Sequence, residues 1–404
     1  MRPGRSRATL RLMQIAAILA ASLAVAVPSQ SPPAQVSVTF ADGRIVSRKA
    51  TGEADRTTGR HARADDPVRI ASISKLAVAL GVMRLVDQDR LDLDRDVSAY
   101  LGWPLRNPAF PGAPISLRQL MSHTAGVRDG ADYALALDDD LATWLAKPGA
   151  WDDAHPPGGY FSYANLDLPI VAAVMEGATG ERFDRLMARL VFTPLGIDAC
   201  FNWTTCSDRA VAKAVTLYQS TGAVARDDLH GKRPACPGTP ARDGSCDVST
   251  YRLARNGAFF SPQGGMRIAM TDLARLGAVL GGGLPGFLSP ASLATMTAPQ
   301  WRFDGSNGDT EQGFFCSYGL GVMILALPGR PATCRDDPFG DGRRRIGHAG
   351  EAYGLRSGLW VDPTTRKGIA FFVTAVPDNA PKGMRSVFTA AEEAMIAAQL
   401  PREQ

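Results

Sequence analysis

The chain has 404 residues, a formal net charge of +4 at pH 7 and six cysteines. Residues 1–26 contain four arginines and no acidic residue, so the 44 basic residues fall to 40 in the remainder, against 40 acidic ones. Because basic and acidic residues are equal in number after residue 26, we expect no extended positively charged surface and no nucleic-acid partner. The length suffices for one large domain with its own hydrophobic core.

The first 26 residues have the pattern of a Sec-type signal peptide. Basic positions up to Arg11 precede the nearly apolar residues 12–27, and residues 24–26 have the small-x-small pattern of a cleavage site. We expect cleavage after Ala26 and a periplasmic or secreted mature protein. An uncleaved N-terminal anchor is the alternative, and no later segment has the 18 or so apolar residues of a membrane span.

All six cysteines lie between Cys200 and Cys334. An even number in an exported chain favours disulfides over reactive thiols, and no C-x-x-C or H-E-x-x-H spacing points to a metal. Six cysteines allow 15 pairings, and the simplest prediction joins neighbours along the chain. The predicted pairs are Cys200–Cys206, Cys236–Cys246 and Cys316–Cys334.

In chain order, the elements begin with strands and then turn to helices. Residues 36–40 and 44–50 flank Asp42 and Gly43, which predicts a β-hairpin. Helices are predicted where apolar residues recur every three or four positions: residues 72–86, 116–122 capped by Ser116, 166–177, 182–192, 271–280 capped by Thr271 and Asp272, and 385–400. Later strands are predicted at residues 68–71, 319–327, 354–361 and 368–376.

This order of elements predicts an α+β fold. Strands come first, helices fill the middle, and several strands and a helix close the chain, which favours an antiparallel sheet flanked by helices. We expect one domain over residues 34–400, with a mostly helical lobe inserted at about residues 90–260. Within that lobe, the Gly- and Pro-rich residues 221–262 are expected to form a stapled surface excursion.

Ser72 stands one helical turn before Lys75, in a chain with 7 lysines and 37 arginines. Arginine serves wherever only positive charge is needed, whereas a desolvated lysine can lose its proton and act as a base. Residues at i and i+3 share a helix face, so the amine can reach the hydroxyl. The pair is therefore a candidate nucleophile and base. A plain helix cap at Ser72 is the alternative.

Two further motifs carry polar groups suited to catalysis. A phenol at Tyr163 near an amine could relay protons, and Asn165 could hold a substrate amide through its donor and acceptor. His348 could donate to a substrate or to its leaving group, while the small Ala349 and Gly350 would let substrate lie close to the following strand. A structural role is the alternative for each motif. It is the interpretation we give to His61, His123, His155 and His230.

The order of the three motifs resembles the serine β-lactamase and D-Ala-D-Ala peptidase superfamily, closest to its class C-like branch and the related esterases. Ser-x-x-Lys opens a helix, Tyr-x-Asn lies in a middle loop and His-x-Gly comes near a late strand. The surrounding segments are similar too: residues 69–75, 117–126, 157–165, 261–265, 271–274 and 347–357. The resemblance covers roughly residues 34–376.

What the resemblance implies is acyl transfer without a metal or cofactor, on a small-molecule or peptide substrate. Ser72 would form an acyl-enzyme, with Lys75 and Tyr163 sharing the general-base role and later serving the leaving group. The oxyanion hole would consist of the N–H groups of Ser72 and Glu351. His348 would complete the catalytic set.

The late motif departs from the Lys-Thr-Gly of many family members. His348 and Ala349 replace the Lys and Thr that usually help to bind a substrate carboxylate, and Glu351 adds negative charge there. Arg356 either restores a carboxylate clamp or pairs with Glu351. Three functions stay open: a hydrolase of β-lactams, D-alanyl peptides or related amides and esters; a carboxylesterase of the same fold; and a non-catalytic module that binds cell-wall peptides.

Overall fold

One large antiparallel sheet forms the centre of the computed structural model, which describes residues 33–219, 221–225 and 228–399. The predicted signal peptide lies outside the described residues. The strands within these ranges are β1 Gln35–Ala41, β2 Arg44–Thr51, β3 Glu53–Asp55, β4 Arg60–His61, β5 Val68–Arg69, β6 Cys200–Phe201, β7 Met266–Ile268, β8 Trp301–Arg302, β9 Ser317–Tyr318, β10 Met323–Leu325, β11 Arg345–Ala352, β12 Leu355–Val361 and β13 Lys367–Val373.

Most of the helices are short, and many of them lie between the early and late strands. They are α1 Ser74–Asp87, α2 Ser98–Leu101, α3 Leu117–Met121, α4 Leu141–Trp144, α5 Asp167–Thr179, α6 Phe183–Met187, α7 Thr193–Leu195, α8 Asp208–Lys213, α9 Met270–Leu280, α10 Pro290–Thr297 and α11 Ala390–Ala397. None of these described helices is both long and apolar enough to cross a membrane. The domain and lobe limits stay predictions.

The large sheet has the order β2-β1-β13-β12-β11-β10-β9-β8, and every neighbouring pair is antiparallel. Successive side chains of a strand point to opposite faces. Leu359 and Val361 of β12 accordingly pack in the cluster that holds the buried face of α9, while Trp360 packs with Met395 and Ile396 of α11. Helices therefore cover both faces, and the predicted α+β architecture is confirmed.

Several predicted elements match their observed counterparts. The hairpin around Asp42 and Gly43 is β1–β2, and both residues have positive φ in the turn. Ser116 caps α3 in a capping box, because its side chain accepts from the N–H of Gln119 and the Gln119 side chain accepts in return. The helix predicted from Ser72 begins at Ser74 instead, after a 3₁₀ turn, Ala71–Ile73.

Three sequence predictions of secondary structure were wrong. Residues 319–327 do not form one strand, because the chain turns through Gly321, at φ 65°, between β9 and β10. Thr271 and Asp272 do not cap α9, which begins at Met270 after Ala269. The final helix is confined to α11, well inside the predicted residues 385–400.

The His-x-Gly segment precedes the predicted strand at residues 354–361, which is β12, but it also forms a strand that the sequence analysis did not predict. Gly347, His348, Ala349 and Gly350 are part of β11, which pairs with β12. The small residues of β11 lack the bulky alternating pattern typical of a strand, but the close packing of neighbouring backbone requires them. A Cβ at Gly347 would lie 1.7 Å from the Leu359 carbonyl oxygen on the neighbouring strand.

The three predicted disulfides are confirmed. The Cα atoms are 4.9 Å apart for Cys200–Cys206, 5.6 Å for Cys236–Cys246 and 5.9 Å for Cys316–Cys334. These separations fall in the usual range for disulfides. The Cys236–Cys246 bridge cross-links the surface excursion that lies between α8 and β7.

Candidate active site

Ser72 sits in a sharp turn between β5 and α1. The turn begins with Ala71 at φ 50°, in the left-handed region that non-glycine residues rarely adopt, and continues as the 3₁₀ turn Ala71–Ile73. Such a conformation costs about 1–3 kcal/mol and persists only where the surroundings hold it. Here β5 is held by its pairing with β7, Val68 opposite Ile268. The strained turn presents the Ser72 hydroxyl at the edge of a cleft.

Lys75 is almost fully buried, with 1% of its surface exposed. Its Nζ lies 3.0 Å from Ser72 Oγ, 2.8 Å from Asn165 Oδ1 and 3.1 Å from the backbone oxygen of Gln263. The last two atoms can only accept hydrogen bonds. A neutral amine would donate its two N–H groups to Asn165 and Gln263, and its lone pair would then face the Ser72 hydroxyl.

The surroundings of Lys75 favour this neutral state. Burial lowers the pKa of the amine from 10.5 to about 7, against the opposing charges of Asp129, Asp167 and Glu311. Desolvation disfavours the charged form of a lysine, which is why burial shifts the pKa downward. The amine therefore titrates near neutrality, where a general base is most effective.

Tyr163 is the second hydroxyl next to Ser72. Its side chain hydrogen-bonds with Ser72, and burial raises its pKa from 10.0 despite that bond. The ring lies 4.7 Å from Lys75 Nζ and stacks on Phe315 with the ring centroids 4.7 Å apart. The phenol consequently stays protonated across the neutral range, so it can relay a proton but cannot be the resting base.

A buried pair behind Tyr163 holds its ring in place. His123 lies 4.6 Å from the Tyr163 ring, and its Nδ1 is 2.7 Å from Asp167 Oδ2. Burial raises the pKa of Asp167 and lowers that of His123, in both cases far from the ordinary value. The Ala164 N–H lies 3.3 Å from the same Nδ1, so the imidazole is tied to the Tyr163–Asn165 loop as well as to the carboxyl group.

Asn165 is positioned by Asp129, a residue that the sequence analysis did not single out. The Asp129 carboxylate accepts from the Asn165 backbone N–H at 2.9 Å, from Asn165 Nδ2 at 3.0 Å and from the Leu166 N–H at 2.9 Å. These bonds orient the amide so that its oxygen faces Lys75. The carboxylate and the Asn165 amide are 36 positions apart in the chain, and no local pattern links them.

His348 lies inside the protein, with both ring nitrogens occupied. Its Nδ1 is 2.6 Å from the Ala349 carbonyl oxygen and its Nε2 is 2.8 Å from the Tyr318 hydroxyl. Burial and the Lys75 charge lower the pKa of His348 to about 3, so the ring is neutral. Nδ1 must then donate to the carbonyl, and Nε2 accepts from Tyr318. The direct catalytic role of His348 stays a prediction.

Strand β11 closely approaches residues 70–73, the turn that carries Ser72 and that we call the nucleophile turn. A Cβ at Gly350 would lie 2.2 Å from the Ile70 carbonyl oxygen, so only glycine fits at this position. Ser357 of β12 strengthens the contact, because its hydroxyl donates to the same Ile70 oxygen at 3.0 Å. The small side chain of Ala349 is buried and lines the cleft.

Glu351 and Arg356 form an ion pair across the β11–β12 hairpin. Their Cα atoms are register partners, and Arg356 Nη1 lies 2.6 Å from Glu351 Oε1. The arginine side chain is 6% exposed and the glutamate side chain 62% exposed. Of the two roles left open for Arg356, the structure therefore favours pairing with Glu351.

Two cavities meet at Ser72. One has a volume of about 340 Å³ and is bounded by Tyr133, Phe259 and Tyr353. The other has a volume of about 500 Å³ and contains Tyr163 together with one end of β11. The cavities border every predicted site residue except Lys75, which lies beneath Ser72: Ser72, Tyr163, Asn165, His348, Ala349, Gly350, Glu351 and Arg356.

Comparisons with known proteins identify the family of this chain. The family model described as "Beta-lactamase" matches residues 29–392. The esterase EstB of Burkholderia gladioli is 30% identical over 279 residues, which cover 64% of this chain and 68% of that protein. A D-aminopeptidase of Cereibacter sphaeroides is 30% identical over 203 residues, but these cover 48% of this chain and only 37% of that protein.

Solved structures agree on the fold. An octameric penicillin-binding protein homologue from Pyrococcus abyssi aligns with a TM-score of 0.63 at 18% identity, over 91% of this chain and 73% of that one. The superfamily resemblance seen in the sequence is thus confirmed, and so is the prediction of an enzyme, since the relatives include an esterase and a D-aminopeptidase. The chain belongs to the beta-lactamase family of serine hydrolases.

Proposed function

We propose that the chain is an exported hydrolase that cleaves carboxylic esters and related amides through an acyl-enzyme on Ser72. The observation that carries this proposal is the Lys75 amine, which is buried, has a pKa of about 7 and lies 3.0 Å from the Ser72 hydroxyl. A buried lysine with this pKa beside a serine is the arrangement that an activated nucleophile needs.

Acylation begins when neutral Lys75 takes the Ser72 proton. Ser72 Oγ then forms a bond with the substrate carbonyl carbon, while Asn165 and the Gln263 oxygen hold the new ammonium. The bond to the leaving oxygen or nitrogen breaks as that atom receives a proton from Lys75 by way of the Tyr163 hydroxyl. Water later attacks the ester carbonyl with the same groups acting in reverse, which yields the free acid.

The developing oxyanion would be stabilised by the N–H groups of Ser72 and Glu351. The close contact of β11 with the nucleophile turn at Gly350, one residue before Glu351, supports this assignment. Such donors are preorganised by the backbone, and removing one typically costs about a hundred- to a thousandfold in rate. We assign His348 a positioning role, since it holds the Tyr318 hydroxyl beside the aromatic rings around Tyr163.

Ester and amide substrates are supported by two observations. EstB is an esterase and the Cereibacter relative a D-aminopeptidase, and both match this chain at 30% identity. In addition, the Glu351 carboxylate already occupies Arg356, so that guanidinium is not free to bind the carboxylate of a penicillin or a D-alanyl peptide. The non-catalytic alternative has no use for a buried lysine of lowered pKa.

Export is supported by the three disulfides, which form in oxidising compartments, together with the signal-like residues 1–26. Expression of the full chain in a bacterium should give a periplasmic or secreted protein whose intact mass corresponds to a start at Val27. A protein recovered only with membranes and of full mass would support the uncleaved anchor instead.

The acyl-enzyme is tested by intact-mass spectrometry after brief exposure to p-nitrophenyl butyrate. We expect one butyryl group on the native protein and none on Ser72→Ala. Ser74→Ala is the matched control, because the Ser74 hydroxyl accepts from the Met266 N–H rather than contacting Lys75. It should still be acylated. A native protein that neither carries an adduct nor releases nitrophenol from any activated ester or β-lactam would favour the binding-module function.

A further inference from the structure

The ion pair between Glu351 and Arg356 is asymmetric. Only 6% of the Arg356 side chain on β12 is exposed, whereas 62% of the Glu351 side chain is exposed. Two further groups lie near Arg356: the Leu355 oxygen, 3.5 Å from its Nη1, and the Glu392 carboxylate, which is near enough to be influenced by its charge. Glu351 is thus the movable partner of a fixed cation.

This pair borders the cavity in which a leaving group would lie. Ser72, Tyr163, Glu351 and Arg356 all bound the same space of about 500 Å³. The leaving atom receives its proton through Tyr163 in the mechanism above, so the group that departs must occupy the side of Ser72 that Tyr163 borders. Arg356 is therefore placed to contact the far end of a leaving group.

We propose that Glu351 is a specificity-determining residue that occupies Arg356 and excludes substrates whose leaving group ends in a carboxylate. This inference rests on the proposed hydrolase function. It assigns the site to leaving groups that are uncharged at their far end, such as simple alcohols, phenols and amines.

The physical basis is competition between a tethered carboxylate and a free one. Glu351 is joined to Arg356 by a two-strand hairpin, so its effective concentration far exceeds that of a substrate in solution. A substrate carboxylate must displace it and would then lie beside the released Glu351 charge. Glu311 borders the same cavity and adds a second negative charge. Like charges brought together in this way act against the unwanted substrate.

The test uses two esters that differ in one group. The butyrate ester of 4-hydroxybenzoate carries a carboxylate on its leaving group, and the butyrate ester of methyl 4-hydroxybenzoate does not. For each protein variant, the ratio of kcat/KM for the charged ester to that for the neutral ester is measured at about pH 8, above the pKa of Lys75. We expect Glu351→Gln to raise this ratio at least tenfold, mainly by lowering KM for the charged ester.

Glu311→Gln is the matched control, because it removes one negative charge from the same cavity without releasing Arg356. We expect its ratio to change less than threefold. Equal changes in the two variants, or an unchanged ratio in Glu351→Gln, would overturn the assignment. Adding Arg356→Gln to Glu351→Gln should abolish the gain, with thermal unfolding measured to verify the fold.

Failure of the proposed hydrolase is separated from failure of this inference by two readouts. Turnover of the neutral ester that depends on Ser72 tests the hydrolase alone. Calorimetric titration with 4-hydroxybenzoate tests the Arg356 site without any turnover, and we expect at least tenfold tighter binding to Glu351→Gln than to the native protein. Equal affinities of the two proteins would contradict the proposal.

Discussion

At the scale of single residues, the site depends on one amine that is kept out of water. Burial alone would lower the pKa of Lys75 further, and the charges of Asp129, Asp167 and Glu311 oppose that shift and leave it at about 7. Burial in the same pocket raises the pKa of Tyr163, so its phenol stays protonated. Opposite pKa shifts in two neighbouring groups support the proposed roles of Lys75 as the base and Tyr163 as the proton relay.

The pH dependence of hydrolysis should report the Lys75 amine. Below pH 7 the amine is protonated and cannot accept the Ser72 proton, so log kcat/KM for a neutral ester should rise with a slope of one and level off above about pH 7. Steady-state rates between about pH 5 and about pH 9 measure this. A flat profile over that range would contradict Lys75 as the base.

Replacing Lys75 by methionine should abolish acylation while the protein stays folded. Methionine has a similar length and lacks a basic nitrogen, so we expect kcat/KM to fall about a thousandfold. Because Asn165 Oδ1 and the Gln263 oxygen lose their donor, we also expect the free energy of unfolding to fall by about 1–3 kcal/mol. Intact-mass measurement of the butyryl adduct and thermal unfolding provide the two readouts. Substantial adduct formation in this variant would show that another group accepts the proton.

At the scale of elements, the site forms where three segments meet: the nucleophile turn, the Tyr163–Asn165 loop and β11. The turn and the loop are linked through Lys75, which bonds both Ser72 and Asn165. The turn and β11 are linked through backbone contact at Gly350. Each segment is thus positioned by a neighbour that lies far away in the chain.

Gly350→Ala should separate β11 from the nucleophile turn. The new Cβ would meet the Ile70 oxygen at 2.2 Å, so one of the two backbones must move. We expect a loss of about 1–3 kcal/mol in the free energy of unfolding and a large fall in kcat. Gly112→Ala is the matched control, since a Cβ at that position would meet no heavy atom within 4 Å beyond its chain neighbours. Urea unfolding and ester turnover should leave that control near the native values.

Asp129→Asn should loosen the Tyr163–Asn165 loop. The carboxylate accepts three N–H bonds, and an amide, with one oxygen, cannot keep them all. We expect a stability loss of about 1–3 kcal/mol and a lower plateau of kcat/KM. Because the Asp129 charge raises the pKa of Lys75, its removal should also shift the midpoint of the pH profile downward. An upward shift of the midpoint would contradict this electrostatic role.

Much of this arrangement could be predicted from local patterns. The β1–β2 turn, the capping box of α3 and the Ser72–Lys75 spacing each depend on residues within a few positions of one another. Asp129 escaped notice because the Asn165 amide that it holds is 36 residues away. β11 was not predicted because strands are recognised in a sequence by alternating bulky side chains. The central residues of β11 are small, and this allows the backbone of neighbouring segments to pack against them.

At the scale of the whole molecule, the excursion after α8 forms part of the wall of the cleft. It contributes Pro237 and Cys236 to the cavity of about 340 Å³ beside Ser72, and the Cys236–Cys246 bridge staples it. The bridge therefore stabilises one wall of the cleft as well as the chain around it.

Removing that bridge should cost stability and alter substrate binding together. For a loop of this size, Cys236→Ser with Cys246→Ser should lower the free energy of unfolding by about 2–3 kcal/mol. Since the wall of the cavity becomes mobile, KM for bulky acyl groups should rise more than KM for acetyl esters. Urea denaturation and an acyl-length series measure the two effects. A KM increase that is equal for all acyl lengths would argue against a wall role for the excursion.

The pairing of β1 with β13 has a consequence for when the enzyme becomes active. Gln35 lies opposite Val373, and the oxygen of Ile70, close to the nucleophile, is held by Ser357. Contacts between such distant positions form slowly. The site around Ser72 can therefore form only after the ribosome has made the chain as far as Ser357 of β12 and the neighbouring strand β13. This unfolded interval is compatible with the proposed export, which requires an unfolded chain, and it delays the proposed esterase activity until these late strands have been made.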